Sequence, residues 1–276
     1  MEKICCNLSI AGMKLRILSD CELPFQDCLT EFYSDFDSSD MVYTVCDVNN
    51  PDDFIPKTAK EIYSGAGVRI FELDGQLYHR YSYGGELSVL HIGEGNTVYV
   101  SAHELSPINI HKSLALETRI LDFDGIFMHA SLVKAGDRGI AFSAPSGVGK
   151  STQAALWQKH RGAKILNGDR AAIRIADEGC LAYGSPWAGS SGIYHNDFAR
   201  LSAIVFLSQG AENTVTRLSG ARAFGAVMKG GILPYWSKDK MSLACNIAER
   251  ILSRVPVFEL SCRPDLSAVE ELEKYI

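Results

Sequence analysis

The apolar run Ile140–Ser143 leads directly into Ala144-Pro145-Ser146-Gly147-Val148-Gly149-Lys150-Ser151-Thr152, and a helical pattern starts at Lys150. This strand, glycine-bearing loop and helix constrain the fold more than any other feature of the chain. They form a phosphate loop with Ala144 in place of the usual first glycine, a position that asks only for a small residue. Backbone N–H groups can curl around a β-phosphate only where no bulky side chain intervenes. Gly147 and Gly149 supply that freedom. Lys150 is then placed to reach the β- and γ-phosphates as a point charge, and the Ser151 hydroxyl to ligate Mg²⁺. The first turn of the helix adds free N–H donors and the positive end of its dipole. All nine residues, Ala144 to Thr152, are therefore candidate nucleotide contacts.

The remaining composition is that of an ordinary globular protein. Of 276 residues, 46% are hydrophobic and 22% charged, which excludes a disordered chain. No apolar run reaches the ~18 residues of a membrane helix, so no membrane partner is expected. Met1 to Cys6 has no basic start followed by an apolar stretch, so a secretory leader is not expected and a cytoplasmic location is. Met1 to Thr118 carries a net charge of −10 and Arg119 to Ile276 one of +4. That asymmetry is either chance surface composition or the sign of a second module that handles anions. No basic run resembles a nucleic-acid patch, so nucleic acid is not an expected partner. The eight cysteines (Cys5, Cys6, Cys21, Cys28, Cys46, Cys180, Cys245 and Cys262) form no C-x-x-C pair. They read as buried small apolar residues in a reducing compartment.

Patterning predicts two domains, 1–112 and 113–276. The first is β-rich, an α+β domain with strands within Ile4–Ile17 and at Met41–Val48, Val68–Leu73, Gln76–Tyr83, Leu87–Ile92 and Thr97–Ala102. Asp74-Gly75 is a strong hairpin signal, and the spacing suggests an antiparallel meander. One short helix is predicted near Phe25–Tyr33. The second domain is α/β, a P-loop core on a mixed sheet. A helix at Leu114–Phe127 connects the two. Strands follow at His129–Val133 and Ile140–Ser143, turned by Asp137-Arg138-Gly139. A helix runs from Lys150 to Arg161, with Gly162 placed to end it. Further strands are predicted at Lys164–Asn167, Ala171–Ile175, Leu181–Gly184, Ala203–Leu207 and Val257–Ser261. Helices are predicted at Ala221–Met228, Met241–Leu252 and Leu266–Lys274.

His129 to Ile175 resembles the HPr kinase-like branch of P-loop kinases, itself similar to ATP-dependent phosphoenolpyruvate carboxykinases. The resemblance rests on His129 in the strand before the loop, on the loop itself, and on a strand that ends at Asn167-Gly168-Asp169-Arg170. Tyr183 to Gly189 resembles the Gly-Thr-Pro-Trp motif of HPr kinase-related proteins found beside peptide-modification genes. The resemblance implies a kinase core like the C-terminal domain of HPr kinases, with ATP and Mg²⁺ as cofactors. It makes Asp169 the carboxylate that accepts the acceptor-hydroxyl proton or, with Ser151, holds Mg²⁺. It places His129 near the transferred phosphate, so Asp169, Lys150 and His129 form the expected catalytic set. HPr kinases assemble into oligomers, so a homo-oligomer is an expectation of the same kind. The chain departs from the family in having Gly168-Asp169 where paired aspartates are usual, and in lacking the downstream protein-recognition signature. Reverse phosphorolysis and HPr itself as substrate therefore do not carry over.

The expected activity is an ATP-dependent transfer of the γ-phosphoryl group to a serine-like hydroxyl on a peptide, protein or small molecule. The β-rich domain either recognises that acceptor or braces the core. An alternative is a non-catalytic module whose affinity for a peptide is gated by nucleotide; a second is a carboxykinase-type lyase, for which no arginine cluster or further metal ligand is identified. Gly184 to His195 reads as a mobile cover whose hydroxyls and Trp187 touch an acceptor, or as a surface loop with Trp187 as a core plug. Arg200, Arg217 and Arg222 are candidate triphosphate clamps. Glu86, His91 and Glu94 lie near one another, with nothing to set a metal geometry.

Overall fold

The computed structural model describes residues 4–20, 30–65, 67–83, 87–92, 96–101, 114–177, 179–187 and 189–276. The chain divides into two compact units, Met1–Leu116 and Glu117–Ile276. Among the described residues no helix is long and apolar enough to cross a membrane.

The first unit is an eight-stranded sheet: β1 (Ile4–Ile10), β2 (Met13–Ser19), β3 (Met41–Asp47), β4 (Lys60–Gly65), β5 (Val68–Leu73), β6 (Gln76–Tyr83), β7 (Leu87–Ile92) and β8 (Thr97–Val100). Their order is β1-β2-β3-β8-β7-β6-β5-β4. Strands β4 to β8 form the expected antiparallel meander. Asp74 and Gly75 turn β5 into β6 with φ of 51° and 82°. Within Ile4–Ile17 a second such turn, at Ala11-Gly12 with φ of 52° and 74°, separates β1 from β2. The meander does not extend to β3, which pairs parallel to both β2 and β8. The connection from Ser19 to Met41 is long enough for the crossover that parallel pairing requires, and alternation within a strand carries no information on its direction. Strand β4 was not expected: it is an edge strand with a register irregularity between Glu61 and Tyr63, and one-sided pairing does not impose a clean apolar alternation. The predicted helix near Phe25 falls partly on residues outside the description; Thr30–Phe32 is a single 3₁₀ turn.

The core of this unit follows strict alternation. Met13, Leu15, Ile17 and Ser19 of β2 are buried while Lys14 is exposed. Tyr43 is fully buried, and its hydroxyl donates to the Leu114 carbonyl at 2.8 Å. Of the proposed metal cluster, Glu86 and Glu94 lie outside the described residues, and His91 stands opposite His79. No group of three or more His, Cys, Asp or Glu able to hold a metal occurs among the described residues.

The second unit is a mixed sheet with helices on both faces. It opens with α1 (Leu116–Arg119) and a 3₁₀ turn, Ile120–Phe123. The predicted connecting helix therefore stops short: Asp124 enters the left-handed region (φ 55°), and Gly125–Phe127 belong to the next strand. A Cβ on Gly125 would meet Ile120 Cγ1 at 2.8 Å and the Ile173 carbonyl at 2.9 Å, so only glycine fits where the chain leaves the turn for the strand. The strands are β9 (Gly125–Ala135), β10 (Arg138–Ser143), β11 (Lys164–Asn167), β12 (Arg170–Ala176), β13 (Gly179–Tyr183), β14 (Phe198–Gln209), β15 (Thr214–Leu218), β16 (Gly231–Ile232) and β17 (Val257–Cys262). The main path is β10-β9-β12-β13-β14-β17-β15, and β10 also pairs with β14, so five strands close on themselves. The β9–β10 turn is Gly136-Asp137, one residue earlier than expected, because Gly136 (φ 60°) takes the left-handed position and Arg138 already pairs. Strands β10, β14 and β17 run parallel.

Four helices cover this sheet: α2 (Lys150–Arg161), α3 (Gly220–Gly230), α4 (Lys238–Leu252) and α5 (Leu266–Glu273). Alternation along β10 sends Ile140 and Phe142 into one core with Trp157 of α2 and Leu272 of α5. Ala141 faces the other, with Val227 of α3 and Ile247 of α4. Helix α2 spans the predicted Lys150–Arg161 and ends on Gly162 at φ 63°. Of the described cysteines, all free, only Cys180 is buried; Cys5 is exposed and the others are half-buried. The expectation of a uniformly buried set is thus corrected, and Cys21 and Cys28 lie outside the described residues.

Candidate functional site

The Ala144–Gly149 loop leaves β10 at Ser143 and enters α2 at Lys150. Gly147 and Gly149 sit at φ of 81° and 129°, and a Cβ on either would meet nothing within 4 Å. Glycine is required there by the backbone and not by crowding, so the loop is an open bowl. Pro145, Ser146 and Gly147 are exposed, and so are Ser151 and Thr152. Gly149 is the N-cap residue and offers no side-chain acceptor, and no acidic residue stands in the first turn of α2. The first-turn N–H groups therefore point out of the helix end with a positive dipole behind them. Lys150 is 8% exposed, and its Nζ donates back to the Ala144 carbonyl at 3.1 Å. Burial pulls its pKa down from the ordinary lysine value, opposed by the negative charge of Asp169.

Asp169 comes from the turn between β11 and β12. These strands lie along one edge of β9, and β10 pairs with the other edge. His129 of β9 is the register partner of Arg170. That pairing brings His129 Nε2 to 3.0 Å from Asp169 Oδ1, with Arg170 Nε 3.6 Å from Oδ2. An ionised carboxylate only accepts hydrogen bonds, so Nε2 carries the proton. Burial raises the Asp169 pKa, but the hydrogen bond and charge of His129, with Arg170 and Lys150, outweigh it and hold the carboxyl below its ordinary range. The folded value lies under the unfolded value of about 3.9. The ionised carboxylate therefore contributes stability above that pH, and the contribution is lost as pH falls through the folded value. The expected result is that the urea midpoint of the protein, relative to Asp169→Asn, declines between about pH 5 and pH 2.5. A constant difference across that range would contradict the ion-pair geometry.

The turn is built by a residue that the sequence reading passed over. Asn167 is fully buried, and its Oδ1 accepts from the backbone N–H of Asp169 (2.8 Å) and of Arg170 (2.6 Å). Its Nδ2 donates to the carbonyls of Ser185 (2.8 Å) and Trp187 (3.1 Å). An asparagine two residues before a turn N–H is a recognisable signal for this arrangement, but nothing in the sequence pairs it with Ser185. Ser131, also fully buried, donates to the Gly168 carbonyl at 2.8 Å.

The Gly184–His195 loop is not a free cover. Gly168 N donates to Ile193 O (3.1 Å), His195 N to Leu166 O (2.9 Å) and Gly184 N to Asp197 O (3.0 Å). Trp187 is 5% exposed and meets Phe127 edge-on at 4.9 Å, so it is a core plug and offers no acceptor contact. Ser185 is fully buried, its hydroxyl donating to Arg170 O at 2.6 Å. Gly189 approaches the carboxylate so closely that a Cβ there would sit 2.7 Å from Asp169 Cγ. A Cβ at Gly184 would lie 2.0 Å from the His195 carbonyl and 2.8 Å from that of Leu166. Gly184→Ala must therefore prise the loop from β11, and a loss of about 3 kcal/mol is expected in urea unfolding. An unchanged midpoint would contradict the bolted loop.

The arginine candidates fare differently. Arg200 is the register partner of Arg138, at the end of β10 remote from the loop, about 17 Å along the strand from Ser143 at ~3.3 Å per residue. Arg217 lies on β15, separated from β10 by β14 and β17. Arg222 is paired with Glu259 at 3.2 Å. The arginine beside the carboxylate is Arg170, whose guanidinium also lies 5.8 Å from the Trp187 ring. Its position next to Asp169 in sequence was the available signal.

No family model matches the chain, and no curated protein matches it. Among solved structures it is similar to the Hpr(Ser) kinase/phosphatase from Coxiella burnetii, at 9% identity and a TM-score of 0.30, covering 54% of this chain and 90% of that one.

Proposed function

We propose that the chain is an ATP-dependent kinase that passes the γ-phosphoryl group to a serine-like hydroxyl on a peptide, protein or small molecule. The observation that carries this reading is the convergence of Lys150, Asp169 and His129, from three separate segments, beside the open Gly147–Gly149 bowl. The triphosphate enters the bowl against the first-turn N–H groups of α2. Lys150 exchanges the Ala144 carbonyl for phosphate oxygens, which strengthens its hydrogen bonds because both partners are then charged.

The donors present fit Mg²⁺: the Ser151 hydroxyl and the Asp169 carboxylate are hard oxygen ligands. Magnesium usually takes only one or two carboxylates and completes its shell from phosphate and water. When bound, it neutralises charge on the terminal phosphates. Asp169 orients the acceptor hydroxyl. The hydroxyl oxygen forms a bond to the γ-phosphorus, the bond from that phosphorus to the bridging oxygen breaks, ADP leaves, and the hydroxyl proton passes to Asp169. A carboxylate with a depressed pKa is a weak base, but in a loose transition state little proton transfer is needed early. The negative triphosphate also raises that pKa by like-charge repulsion. His129 holds the carboxylate through Oδ1.

Calorimetric titration with MgATP, ADP and pyrophosphate, followed by transfer of labelled γ-phosphate to serine-containing peptides, tests this. Uptake and transfer are expected; a folded protein that takes up none of the three ligands overturns the reading.

A further inference from the structure

Among the fully buried polar side chains that the proposed kinase reading leaves without a role, Asn167 has bonds that connect the two walls of the site. Asn167 uses all four of its hydrogen-bonding positions. Both acceptor positions hold the Asp169–Arg170 turn, and both donors hold the carbonyls of Ser185 and Trp187. The orientation of the amide is determined by this network, since reversing it would set NH₂ against two N–H donors and oxygen against two carbonyls. The wall carries Gly189, whose backbone lies against the Asp169 carboxyl. The turn that carries Asp169 and the segment that carries Gly189 are therefore tied to the two ends of a single side chain, beside the Ser185–Arg170 bond.

We infer that Asn167 is a positioning residue for phosphoryl transfer, holding Asp169 and the acceptor wall in a fixed relation. It touches neither nucleotide nor acceptor. The other ties of the loop (Gly168 to Ile193 and His195 to Leu166 at its far end, Gly184 to Asp197, and the Ser185 hydroxyl to the Arg170 carbonyl at 2.6 Å) do not involve the side chain of residue 167, so the Asn167 bond to the Trp187 carbonyl is the one left without a substitute. Removing Asn167 is expected to loosen the Ser185–Trp187 side while leaving the Ala144–Thr152 bowl intact. A displacement of ~1 Å at a reacting centre lowers the rate of chemistry far more than it lowers ground-state binding.

The test rests on the kinase reading and uses the full chain with MgATP and serine-containing peptides as acceptor, with ADP release as the measure of turnover. Asn167→Ala removes these four bonds and a longer contact from Nδ2 to the Ser185 hydroxyl at 3.4 Å. Asn167→Asp keeps both acceptors for the turn, loses the two donors to the wall and sets an oxygen against the Ser185 and Trp187 carbonyls. The expected result is a fall in kcat of tenfold or more for both Asn167→Ala and Asn167→Asp, and a KM for ATP within twofold of the parent in both. Amide exchange at 185–187 rises in both variants, and exchange at 150–153 does not. Retention of kcat in Asn167→Ala overturns the inference while leaving the kinase reading standing. So does a parallel loss of kcat and ATP affinity, which marks a merely structural residue. If Asn167→Ala fails to fold, Asn167→Asp decides by the same split between kcat and KM. A parent protein that binds no MgATP, or binds it without turnover, sinks the kinase reading and this inference together.

Discussion

Asp169→Asn is expected to retain MgATP within about tenfold of the parent affinity and to lose phosphoryl transfer by ~10³-fold, the range for removal of a positioned general base. The substitution keeps the shape of the side chain, and its amide oxygen still accepts from His129 Nε2, which lies 3.0 Å from Asp169 Oδ1 in the parent. What is lost is the negative charge that, under the kinase proposal, receives the hydroxyl proton and contributes to metal binding. Under the kinase proposal most of the nucleotide contacts come from elsewhere, from the bowl and Lys150, so binding and chemistry separate. This separation also distinguishes the enzyme from a nucleotide-gated peptide module. In the module reading the parent protein already shows no turnover with any acceptor, and Asp169→Asn changes only affinity. Calorimetry and labelled-phosphate transfer on the same two proteins provide both measurements.

Lys150→Ala is expected to act at the opposite step. A charge-assisted hydrogen bond contributes roughly 1.5–3 kcal/mol, so removing the ammonium weakens MgATP binding by about 10- to 100-fold. Transfer falls further, because charge on the terminal phosphate oxygens matters most in the transition state. Stability moves little or rises. Lys150 is only 8% exposed and its pKa is pulled down by burial, which means the empty fold pays for holding that charge. The same shift predicts that MgATP affinity begins to fall at a lower pH than for a solvent-exposed lysine as pH rises, because the ammonium is lost earlier. A variant that binds MgATP as tightly as the parent would remove Lys150 from the site.

Local features of the fold were legible because local physics produces them. Helix α2 begins and ends at Lys150 and Arg161 because a glycine loop precedes it and Gly162 can take the left-handed conformation that closes it. Asp74-Gly75 turns a hairpin for the same kind of reason. The sequence named the residues of the candidate site only in part. Asp169, Lys150 and His129 converge, whereas Arg200 lies at the far end of its strand from the loop and Arg170 takes the place beside the carboxylate. The strand direction of β3, the return of β14 onto β10 and the bolting of the Gly184–His195 loop were not legible. Each depends on which distant segment supplies a partner, and alternation or turn chemistry within a segment does not encode that partner.

The amino-acid sequence alone determined a strand, a phosphate-compatible loop and a helix with its boundaries, because backbone conformation at Gly147, Gly149 and Gly162 is set by residues a few positions apart. It also supplied the carboxylate, the lysine and the histidine as chemical types. Tertiary structure alone decided that β9 carries β10 on one edge and β12 on the other, so that His129 meets Asp169, and that Asn167 joins the turn to Ser185 and Trp187. Buried backbone groups must find partners wherever the fold brings them, and that requirement acts through space and not along the chain.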